Sequence, residues 1–596
     1  MRRNRSATVL AALALLSLCT PATHAAPAKR PNIVILLADD WGFSDVGAFG
    51  GEIATTNIDA LAAKGVRFSN FHVAGSCSPT RAMLQTGVIN HRAGLGNMPE
   101  TIPPEHQGKP GYDAHLNNRV VTIADQLRAG GYRTYLTGKW HLGHTTDSLP
   151  TARGYDHALA LAQSGADNFE DKPNLLLYDR TEWSEDGKPA KLPARFYSST
   201  LIVDRMIRYI DSGKASGKPF LASVNFIANH TPLQAPDADI AAYAGRYTAG
   251  WTALRSQRRA AVIARGVMPA GVAMVTMNTS ADWSKLSDQE RQQRAGAMAA
   301  YAGMATAMDR EIGRLVAHLK AIGEYENTIF VFLSDNGAEA TDPMAMGAFA
   351  RWNANLLYDQ SIARQGRPGS LTAQGAGFAS ASVSPLRGYK FTASEGGLRV
   401  PMIMAWPGNP AIRGGSVATG FAHVTDMPPT LLALAGVTPQ QGVFAGRRVE
   451  PMIGLNLSPM LIGSTPSVHP ADRPLGYELS GNAVLFKGDY KLVKNLPPYG
   501  DGRWRLYNIS ADPGETDDLS RADPERFAVM QSDYAAFAKA NQVLPMPEGY
   551  AAPDQILANA LRTLLIPRLL ALWPVAAVLA AATAALIWWR RRRRPA

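Results

Sequence analysis

Residues 32–42, NIVILLADDWG, form a short apolar run that ends in two aspartates. Residues 33–37 follow one another without a polar interruption. A strand that is buried on both faces has such a continuous run, whereas a half-exposed strand alternates apolar and polar residues. Because sheets that are covered on both faces are mostly the parallel sheets of α/β proteins, the stretch predicts a central strand of that fold class.

Three further stretches have the same form, a run of strand-forming residues that ends in reactive polar side chains. They are YRTYLTGKWHLG (132–143) with Lys139 and His141, PFLASVNFIANHTP (219–232) with His230, and NTIFVFLSDNGA (327–338) with Asp335 and Asn336. Helical patterns, such as residues 122–129 and 300–322, lie between the runs. The alternation predicts a largely parallel sheet with helices on both faces. Ligands bind beyond the carboxyl ends of such strands, so we expect these side chains to converge.

The polar residues at the predicted strand ends suit a metal site. Asp39, Asp40, Asp335 and Asn336 all offer hard oxygen donors, which match Ca²⁺ or Mg²⁺ better than Zn²⁺. Each pair also has an ordinary structural explanation, since the first could cap a helix and the second could form a turn.

The net charge of the chain does not indicate a nucleic-acid partner. The formal charge is +11, but ten of the 60 Lys and Arg lie in two terminal segments that hold no Asp or Glu. The body is left with 50 cations against 49 acids. We therefore expect no nucleic-acid binding.

Both ends of the chain carry patterns typical of export and membrane attachment. Residues 1–25 have a basic start, an apolar run and then small residues, which predicts a cleaved signal peptide. Residues 569–589 are uncharged and mostly apolar, and residues 590–594 are all arginine, which predicts a transmembrane helix with a cytoplasmic tail (590–596). A buried core helix and a cleaved C-terminal sorting signal are the alternatives. We expect the body of the protein to lie outside the cytoplasmic membrane.

Cys77 is the only cysteine that remains once the predicted signal peptide, which contains Cys19, is removed. It then has no intramolecular disulfide partner, although the compartment would permit one. The stretch GSCSPTRAMLQTG (75–87) places it at a turn before a predicted helix, with Pro79 near the helix start and Arg81 in the first turn. A group at such a helix end can meet an anion. A buried, inert thiol is the alternative.

These motifs together resemble those of the sulfatase family. C-x-P-x-R followed by T-G, within residues 77–87, is similar to the family signature, and ADDWG (38–42) looks like its first metal motif. GKWHLG (138–143), SDNGA (334–338) and RGYKFTASEGGLRVP (387–401) resemble three further blocks, with Lys390 at the family's functional lysine. The five blocks keep the family's order and cover roughly residues 30–545, and the whole run looks most like bacterial arylsulfatases.

The resemblance implies an alkaline-phosphatase-like sulfatase fold. That fold has a large, mostly parallel sheet flanked by helices and a small C-terminal antiparallel-sheet subdomain. On this chain it implies a catalytic domain over residues 30–465 and a subdomain over 475–545. A tether, 546–568, would then lead to the transmembrane helix.

The resemblance also implies a chemistry for Cys77. In the family, a formylglycine-generating enzyme oxidises this cysteine, and the hydrated aldehyde attacks the sulfur of a sulfate ester beside one calcium ion. A covalent sulfo-enzyme forms and then releases sulfate. The roles carried over by position are calcium ligands (Asp39, Asp40, Asp335, Asn336 and the modified Cys77), orientation of the formylglycine (Arg81), proton acceptance from the diol (His141) and contacts to the sulfate (Lys139, His230 and Lys390).

The sequence leaves three functions open. The first is a sulfatase that hydrolyses aryl or hydrophobic alkyl sulfates, and the second is a phosphonate monoester or phosphodiester hydrolase of the same superfamily. The third is a catalytically silent, membrane-anchored binding protein with an unmodified Cys77. The intact metal and cation motifs favour an enzyme, and the likeness to arylsulfatases favours the first function.

The segment 339–386 is long for a connection between two site motifs, so we expect a functional loop. Its large apolar residues include Met344, Met346, Phe349, Trp352 and Phe378. We expect some of them to form an apolar lip for the leaving group. Filling of the core under a loop is the alternative.

Overall fold

The computed structural model describes residues 29–277 and 279–592. The predicted signal peptide and the last four residues of the predicted cytoplasmic tail lie outside the described residues. The described chain forms a ten-stranded sheet, a four-stranded antiparallel sheet and two small two-stranded pairings.

The strands follow one another along the chain with helices between them. They are β1 (Asn32–Ala38), β2 (Gly65–Phe68), β3 (Phe71–His72), β4 (Arg133–Lys139), β5 (His157–Leu161), β6 (Trp183–Glu185), β7 (Lys188–Pro189), β8 (Phe220–Asn225), β9 (Thr328–Ser334), β10 (Met402–Ala405), β11 (Ser416–Ala418), β12 (Ala422–His423), β13 (Val443–Phe444), β14 (Arg447–Arg448), β15 (Leu475–Leu479), β16 (Asn482–Lys487), β17 (Tyr490–Lys494) and β18 (Arg505–Asn508).

Sixteen α-helices lie in the described part of the chain, and capping residues mark where two of the predicted ones begin. They are α1 (Thr56–Lys64), α2 (Cys77–Thr86), α3 (Asn90–Ala93), α4 (Ile123–Ala129), α5 (Ser198–Ser212), α6 (Asp237–Ala241), α7 (Gly250–Ala264), α8 (Asp288–Ala321), α9 (Ala348–Leu357), α10 (Gly375–Ser382), α11 (Glu395–Leu398), α12 (Met427–Leu434), α13 (Ser458–Leu461), α14 (Pro524–Ala540), α15 (Ala552–Ala560) and α16 (Ile566–Arg592). The two helices predicted within residues 122–129 and 300–322 are present as α4 and the second half of α8. Both begin with a capping box, from Thr122 and from Ser287, which satisfies free backbone N–H groups at the helix start.

The large sheet has the strand order β11-β2-β10-β9-β1-β8-β4-β5-β6-β7. The five strands from β9 to β5 in this order are parallel to one another, and antiparallel strands flank them on both sides. Ala38 pairs with Ser334, and both Leu37 and Gly138 pair with Asn225. The strands that precede the predicted site residues therefore end at one edge of the sheet, which confirms the predicted α/β architecture.

Strand β1 shows why its sequence is continuously apolar. Val34 and Leu36 point into the core between the sheet and helices α5 and α8, whereas Ile33 and Ile35 point into the core on the other face, under α2 and α12. All seven residues of β1 are buried. Because each face of the sheet has its own hydrophobic core, no position on this strand tolerates a solvated side chain.

The small antiparallel sheet, β15-β16-β17-β18, is braced against the main α/β body that contains the ten-stranded sheet. The Gly75 N–H, two residues before Cys77, donates to the Tyr477 hydroxyl at 2.9 Å. Lys491 on β17 lies 2.8 Å from Glu395, the first residue of α11, and 2.8 Å from Glu515, and all three side chains are fully buried. The subdomain predicted for residues 475–545 therefore shares a charged network with the main α/β body.

The chain after α14 returns to the main α/β body. Helix α15, within the predicted tether, packs against a 3₁₀ turn at Pro99–Thr101. A π-helical turn, Leu561–Leu565, leads from it into α16. Residues Leu570–Trp589 of α16 are exposed and are long and apolar enough to cross a membrane. The segment 546–568 is thus partly a docked helix.

The Lys491 network yields a stability prediction. Lys491→Met leaves Glu515 buried without its cation, so we expect a loss of about 3–5 kcal/mol in the free energy of unfolding at pH 7. Denaturant titration measures it. The matched control is Lys487→Met on neighbouring β16, whose pair with Asp533 is partly solvated and should contribute less than about 1 kcal/mol. Equal losses in the two variants would contradict the brace.

Candidate active site

Four side chains meet just beyond the carboxyl ends of β1 and β9. Asp39 and Asp40 follow β1, Asp335 follows β9, and Cys77 is the first residue of α2. One ligand atom from each of the four lies within 4.8 Å of the others, and all four residues are buried. The thiol of Cys77 lies 3.5 Å from Asp39 Oδ1. The structure thus brings together residues that are almost 300 positions apart in sequence.

The donor set of this cluster fits a hard divalent cation. Asn336 donates through Nδ2 to Asp40 Oδ1 at 2.6 Å, and among the described residues its buried Oδ1 has no hydrogen-bond partner. Burial and the neighbouring Asp335 raise the pKa of Asp39 to about 7. Three buried carboxylates and an unsatisfied amide oxygen are the ligands that Ca²⁺ or Mg²⁺ prefers. A bound dication would neutralise the repulsion among the three carboxylates and would give the Asn336 Oδ1 a partner.

Three cations surround the carboxylates. Lys139 Nζ, at the end of β4, lies 2.6 Å from Asp39 Oδ2, and Lys390 Nζ lies 2.8 Å from Asp40 Oδ1. Arg81, in the first turns of α2, contacts Asp335 at 2.8 Å and also donates to the backbone carbonyl of Lys139 at 2.8 Å. Each cation is buried and in contact with at least one carboxylate, so the three are held in fixed positions.

The three carboxylates and the three cations have opposite charges that sum to zero. Burial alone would lower the pKa of Lys139 and of Lys390, but Asp39 and Asp40 respectively outweigh it and raise both. Burial likewise opposes ionisation of Asp40, but Lys390 and its neighbours lower its pKa to about 2. With three carboxylates ionised and three cations present, a bound dication would leave the group with two positive charges. Such a site attracts an anion and stabilises negative charge that develops on it.

His230 lies on the loop after β8, at the rim of the cluster. Its Nδ1 is 2.7 Å from the backbone carbonyl of Thr231 and therefore carries the proton, and its Nε2 lies 3.9 Å from Asp40 Oδ2. Burial, with Lys139 and Lys390 nearby, lowers the pKa of His230 well below its usual range. The ring is neutral at pH 7 unless a bound anion changes that balance.

His141 is set to accept a proton. Its Nε2 lies 3.3 Å from both carboxylate oxygens of Glu100, which makes that nitrogen the donor. Its buried Nδ1 has no hydrogen-bond partner within residues 29–277 and 279–592. Burial lowers the pKa of His141 more than Glu100 raises it, so the ring is neutral at pH 7 and Nδ1 offers a lone pair.

Three residues around the cluster have a left-handed backbone conformation. Asp40, His141 and Phe391, the residue after Lys390, have φ values of 63°, 55° and 71°. Aspartate and histidine occupy this left-handed region more often than most residues, but phenylalanine rarely does. Strained backbone of this kind persists only where the surroundings hold it, and it clusters at functional sites.

Motif reasoning missed Glu100, Tyr178 and Glu339. The Tyr178 hydroxyl donates to Glu100, which orients His141, and Glu339 Oε2 lies 3.2 Å from Lys390 Nζ. Glu100 lies in the 3₁₀ turn after α3, where nothing in the spacing of the sequence points to the strand ends. Glu339 directly follows the SDNGA motif (334–338), which is a weak signal that could have found it.

A cleft of about 940 Å³, counted with the solvent at its mouth, lies beside this cluster and is lined by Lys390 and His230 from its surroundings. Its polar end contains His230, Lys390, Glu100 and Glu339. Most of the remaining lining is apolar, with large side chains from Met98, Leu176, Leu177, Met346, Phe391, Ile556 and Leu557, although Ser164, Asn174, Thr231, Thr341 and Asn353 also reach it. Sulfate-sized anions would thus meet the cations while an attached apolar group lies against aliphatic surface.

The predicted lip is confirmed only in part. Met346 lines the cleft, as do Ala350 and Asn353 of α9. Phe378 is instead fully buried in the core, with its ring 5.6 Å from that of Trp251, so its assignment to the lip is wrong. Trp352 is 60% exposed on α9 and is absent from the cleft lining. The side chain of Phe349 lies outside the described residues.

The family model for sulfatases matches residues 31–437 of the chain. The chain belongs to the sulfatase family. An uncharacterized sulfatase of Schizosaccharomyces pombe is 36% identical to it over 89% of this chain and 97% of that protein. The arylsulfatase of Klebsiella aerogenes is 36% identical over 73% of this chain and 93% of that protein.

The solved structures agree on the fold. The crystal structure of Ps i-CgsB matches with a TM-score of 0.62 and 24% identity, over 91% of this chain and 99% of that one. This sulfatase is therefore a sulfuric ester hydrolase with the alkaline-phosphatase-like fold, as the motifs predict. A catalytically silent binding protein is disfavoured, because every charged motif of the family site is present and assembled.

The raised pKa of Asp39 predicts that calcium binding depends on pH. Without metal, the Asp39 carboxyl takes up a proton as the pH falls through about 7, and calcium must then displace that proton. We expect the affinity for Ca²⁺ to fall about 20-fold between pH 7.5 and pH 5.5, with one proton released per ion at the lower pH. Isothermal titration calorimetry in two buffers measures both quantities.

Two variants sharpen this measurement. Asp335→Ala should remove calcium binding at both pH values, because it deletes a member of the cluster. Asp204→Ala, which removes an exposed carboxylate paired with Arg314, should leave the affinity and its pH dependence unchanged. An affinity in the native protein that is the same at pH 5.5 and 7.5 would contradict the role of Asp39.

Proposed function

We propose that this protein hydrolyses sulfate esters with a hydrophobic aryl or alkyl alcohol part, through a formylglycine made from Cys77 and with one bound calcium ion. The observation that carries the proposal is the position of Cys77. Its side chain stands at the start of α2, 3.5 Å from Asp39, inside a ring of three cations.

An unmodified thiol is poorly suited to this position. Burial and the nearby Asp335 raise the pKa of the Cys77 thiol well above its usual range, despite Lys139 and Lys390. A thiol is a nucleophile and a metal ligand only as the thiolate. The surroundings of Cys77 therefore disfavour the thiolate, which is the form that would act as a nucleophile or a metal ligand. Conversion to formylglycine removes this conflict, because a hydrated aldehyde needs no thiolate.

The calcium would be held by Asp39, Asp40, Asp335 and Asn336, where it supplies Lewis-acid stabilisation of negative charge. The residues of the chain then divide the remaining work. Arg81 orients the group at position 77 through the contacts of its guanidinium with Asp335 and the Lys139 carbonyl. Lys139 and Lys390 bind the sulfate oxygens, His230 joins them once the bound anion has favoured protonation of its Nε2, and His141 Nδ1 accepts the proton of the nucleophile.

The apolar part of the cleft supports a hydrophobic leaving group. Met98, Leu177 and Phe391 lie in the same cleft as the sulfate-binding Lys390. The lining also offers polar groups from Asn174, Thr341 and Asn353, but most of its surface is apolar, which favours contact with an aryl or alkyl group over a hydroxyl-rich sugar. The relative from Klebsiella aerogenes is named an arylsulfatase, which agrees with this substrate class.

We place the catalytic domain outside the cytoplasmic membrane, anchored by residues 569–589, and we expect a formylglycine-generating enzyme to act during maturation. The support is the apolar α16 together with the sequence patterns at both chain ends. Protease added to intact spheroplasts should digest the catalytic domain. Digestion only after lysis would contradict this topology.

The Cys77 proposal makes a prediction in mass and in activity. Protein coexpressed with a formylglycine-generating enzyme should yield a Cys77 peptide about 18 Da lighter than the cysteine form, because CH₂SH becomes CHO. Cys77→Ala should keep the fold but lower kcat for p-nitrophenyl sulfate at least about 1000-fold, because the nucleophile is lost. Mass spectrometry and steady-state assays measure these two outcomes.

Ser78→Ala is the matched control. Ser78 occupies a position that the C-x-P-x-R pattern leaves free, and in the described structure its buried hydroxyl has no hydrogen-bond partner. This variant should retain activity. A Cys77→Ala protein with native turnover would end the formylglycine account. Faster hydrolysis of bis-p-nitrophenyl phosphate than of p-nitrophenyl sulfate by the native protein would instead identify a phosphodiester hydrolase.

A further inference from the structure

Helix α15 forms part of the wall of the catalytic cleft. Ile556, Leu557 and Ala560 line the cleft that also contains His230 and Lys390. The helix lies more than a hundred residues beyond position 437, where the match to the family model ends. It also lies within the segment that the sequence predicts to be a tether. A part of the chain outside the matched catalytic region therefore completes the substrate cleft.

Hydrogen bonds hold this helix on the main α/β body near both of its ends. The Tyr550 hydroxyl, just before the helix, donates to the Thr101 carbonyl at 2.8 Å. In the last turn, Asn559 Nδ2 donates to the carbonyl oxygens of Glu100 and Ile102 at 2.9 and 3.1 Å. Because the Glu100 side chain also contacts His141, the helix is attached to a turn that belongs to the active site.

The sequence of the helix separates an inward and an outward side. Ile556 and Ala560 are one helical turn apart and Leu557 is adjacent, so the three form one apolar face. Asp554 and Ala558 are exposed and are not among the cleft-lining residues. The hydrophobic residues of α15 are thus turned to the cleft, where they meet the space that a leaving group would occupy.

We propose that α15 determines substrate specificity, with Ile556 and Leu557 in contact with the distal part of an apolar leaving group. The substrates are then amphiphilic sulfate esters whose alkyl or alkyl-aryl body extends beyond a single ring. This inference rests on the proposed sulfate ester hydrolysis and names its substrate class. Each methylene that reaches the wall is removed from water, which favours longer chains.

A chain-length series on the native, full-length, matured enzyme tests the proposal. Ethyl, butyl, hexyl and octyl sulfate are assayed below their micelle-forming concentrations. We expect kcat/KM to rise with each methylene that contacts the wall, by up to about fourfold per methylene and at least about tenfold from ethyl to octyl sulfate. A flat series would overturn the proposal.

Substitutions in α15 test whether this helix causes the dependence of kcat/KM on chain length. In Ile556→Ser/Leu557→Ser, the ratio of kcat/KM for octyl sulfate to that for ethyl sulfate should fall about tenfold. The matched control, Ala558→Ser, places the same side chain on the exposed side of the same helix and should keep the native ratio. Leu557→Val, which removes one methylene and stays apolar, should give an intermediate ratio even if the double variant unfolds.

The outcomes separate this inference from the proposed function. If the matured native protein hydrolyses neither ethyl sulfate nor p-nitrophenyl sulfate, the proposed function fails, and this inference fails with it. If it hydrolyses all of these esters, and both Ile556→Ser/Leu557→Ser and Leu557→Val keep the native octyl-to-ethyl ratio, α15 is only a packing helix. The proposed function then stands and this inference is overturned.

Discussion

The burial of three carboxylates at one edge of the sheet is the constraint on which the rest of the site depends. Asp39, Asp40 and Asp335 would repel one another and would be strongly desolvated if they stood alone. Each has a fixed cation in contact, and those cations come from α2, from the end of β4 and from the loop before α11. The strand order β9-β1-β8-β4 is what brings these separate parts of the chain to one point.

The small C-terminal sheet also helps to hold the site residues in place, although it lies outside the cluster. It contacts the backbone of two loops at the site. Tyr477 accepts a hydrogen bond from the Gly75 N–H, and Asn482 donates one to the Phe391 carbonyl at 2.7 Å. Phe391 is the strained residue beside Lys390. The subdomain therefore holds in place the loop before Cys77 and the loop that carries Lys390, and its own buried Lys491 fixes it to α11.

Sequence reasoning located the part of the site that follows from strand geometry. Parallel strands end at one edge, so polar residues after apolar runs can be expected to meet, and Asp39, Lys139 and Asp335 do. It could not locate Glu100 or α15, because contacts between loops and a distant helix leave no periodic pattern. The placement of Phe378 in the lip was wrong for a related reason. An aromatic residue among small ones looks the same in sequence whether it faces a cleft or fills a core.

The complete burial of Cys77 sets an order of events in the life of the protein. A modifying enzyme has to reach the side chain, and in the folded chain the side chain has no exposed surface. The proposed oxidation therefore belongs to the time before α2 packs under the sheet and the Tyr477 contact closes over Gly75. Folding and modification compete for the same nascent chain. A molecule that folds first is stable, charged and correctly shaped, yet permanently without its nucleophile.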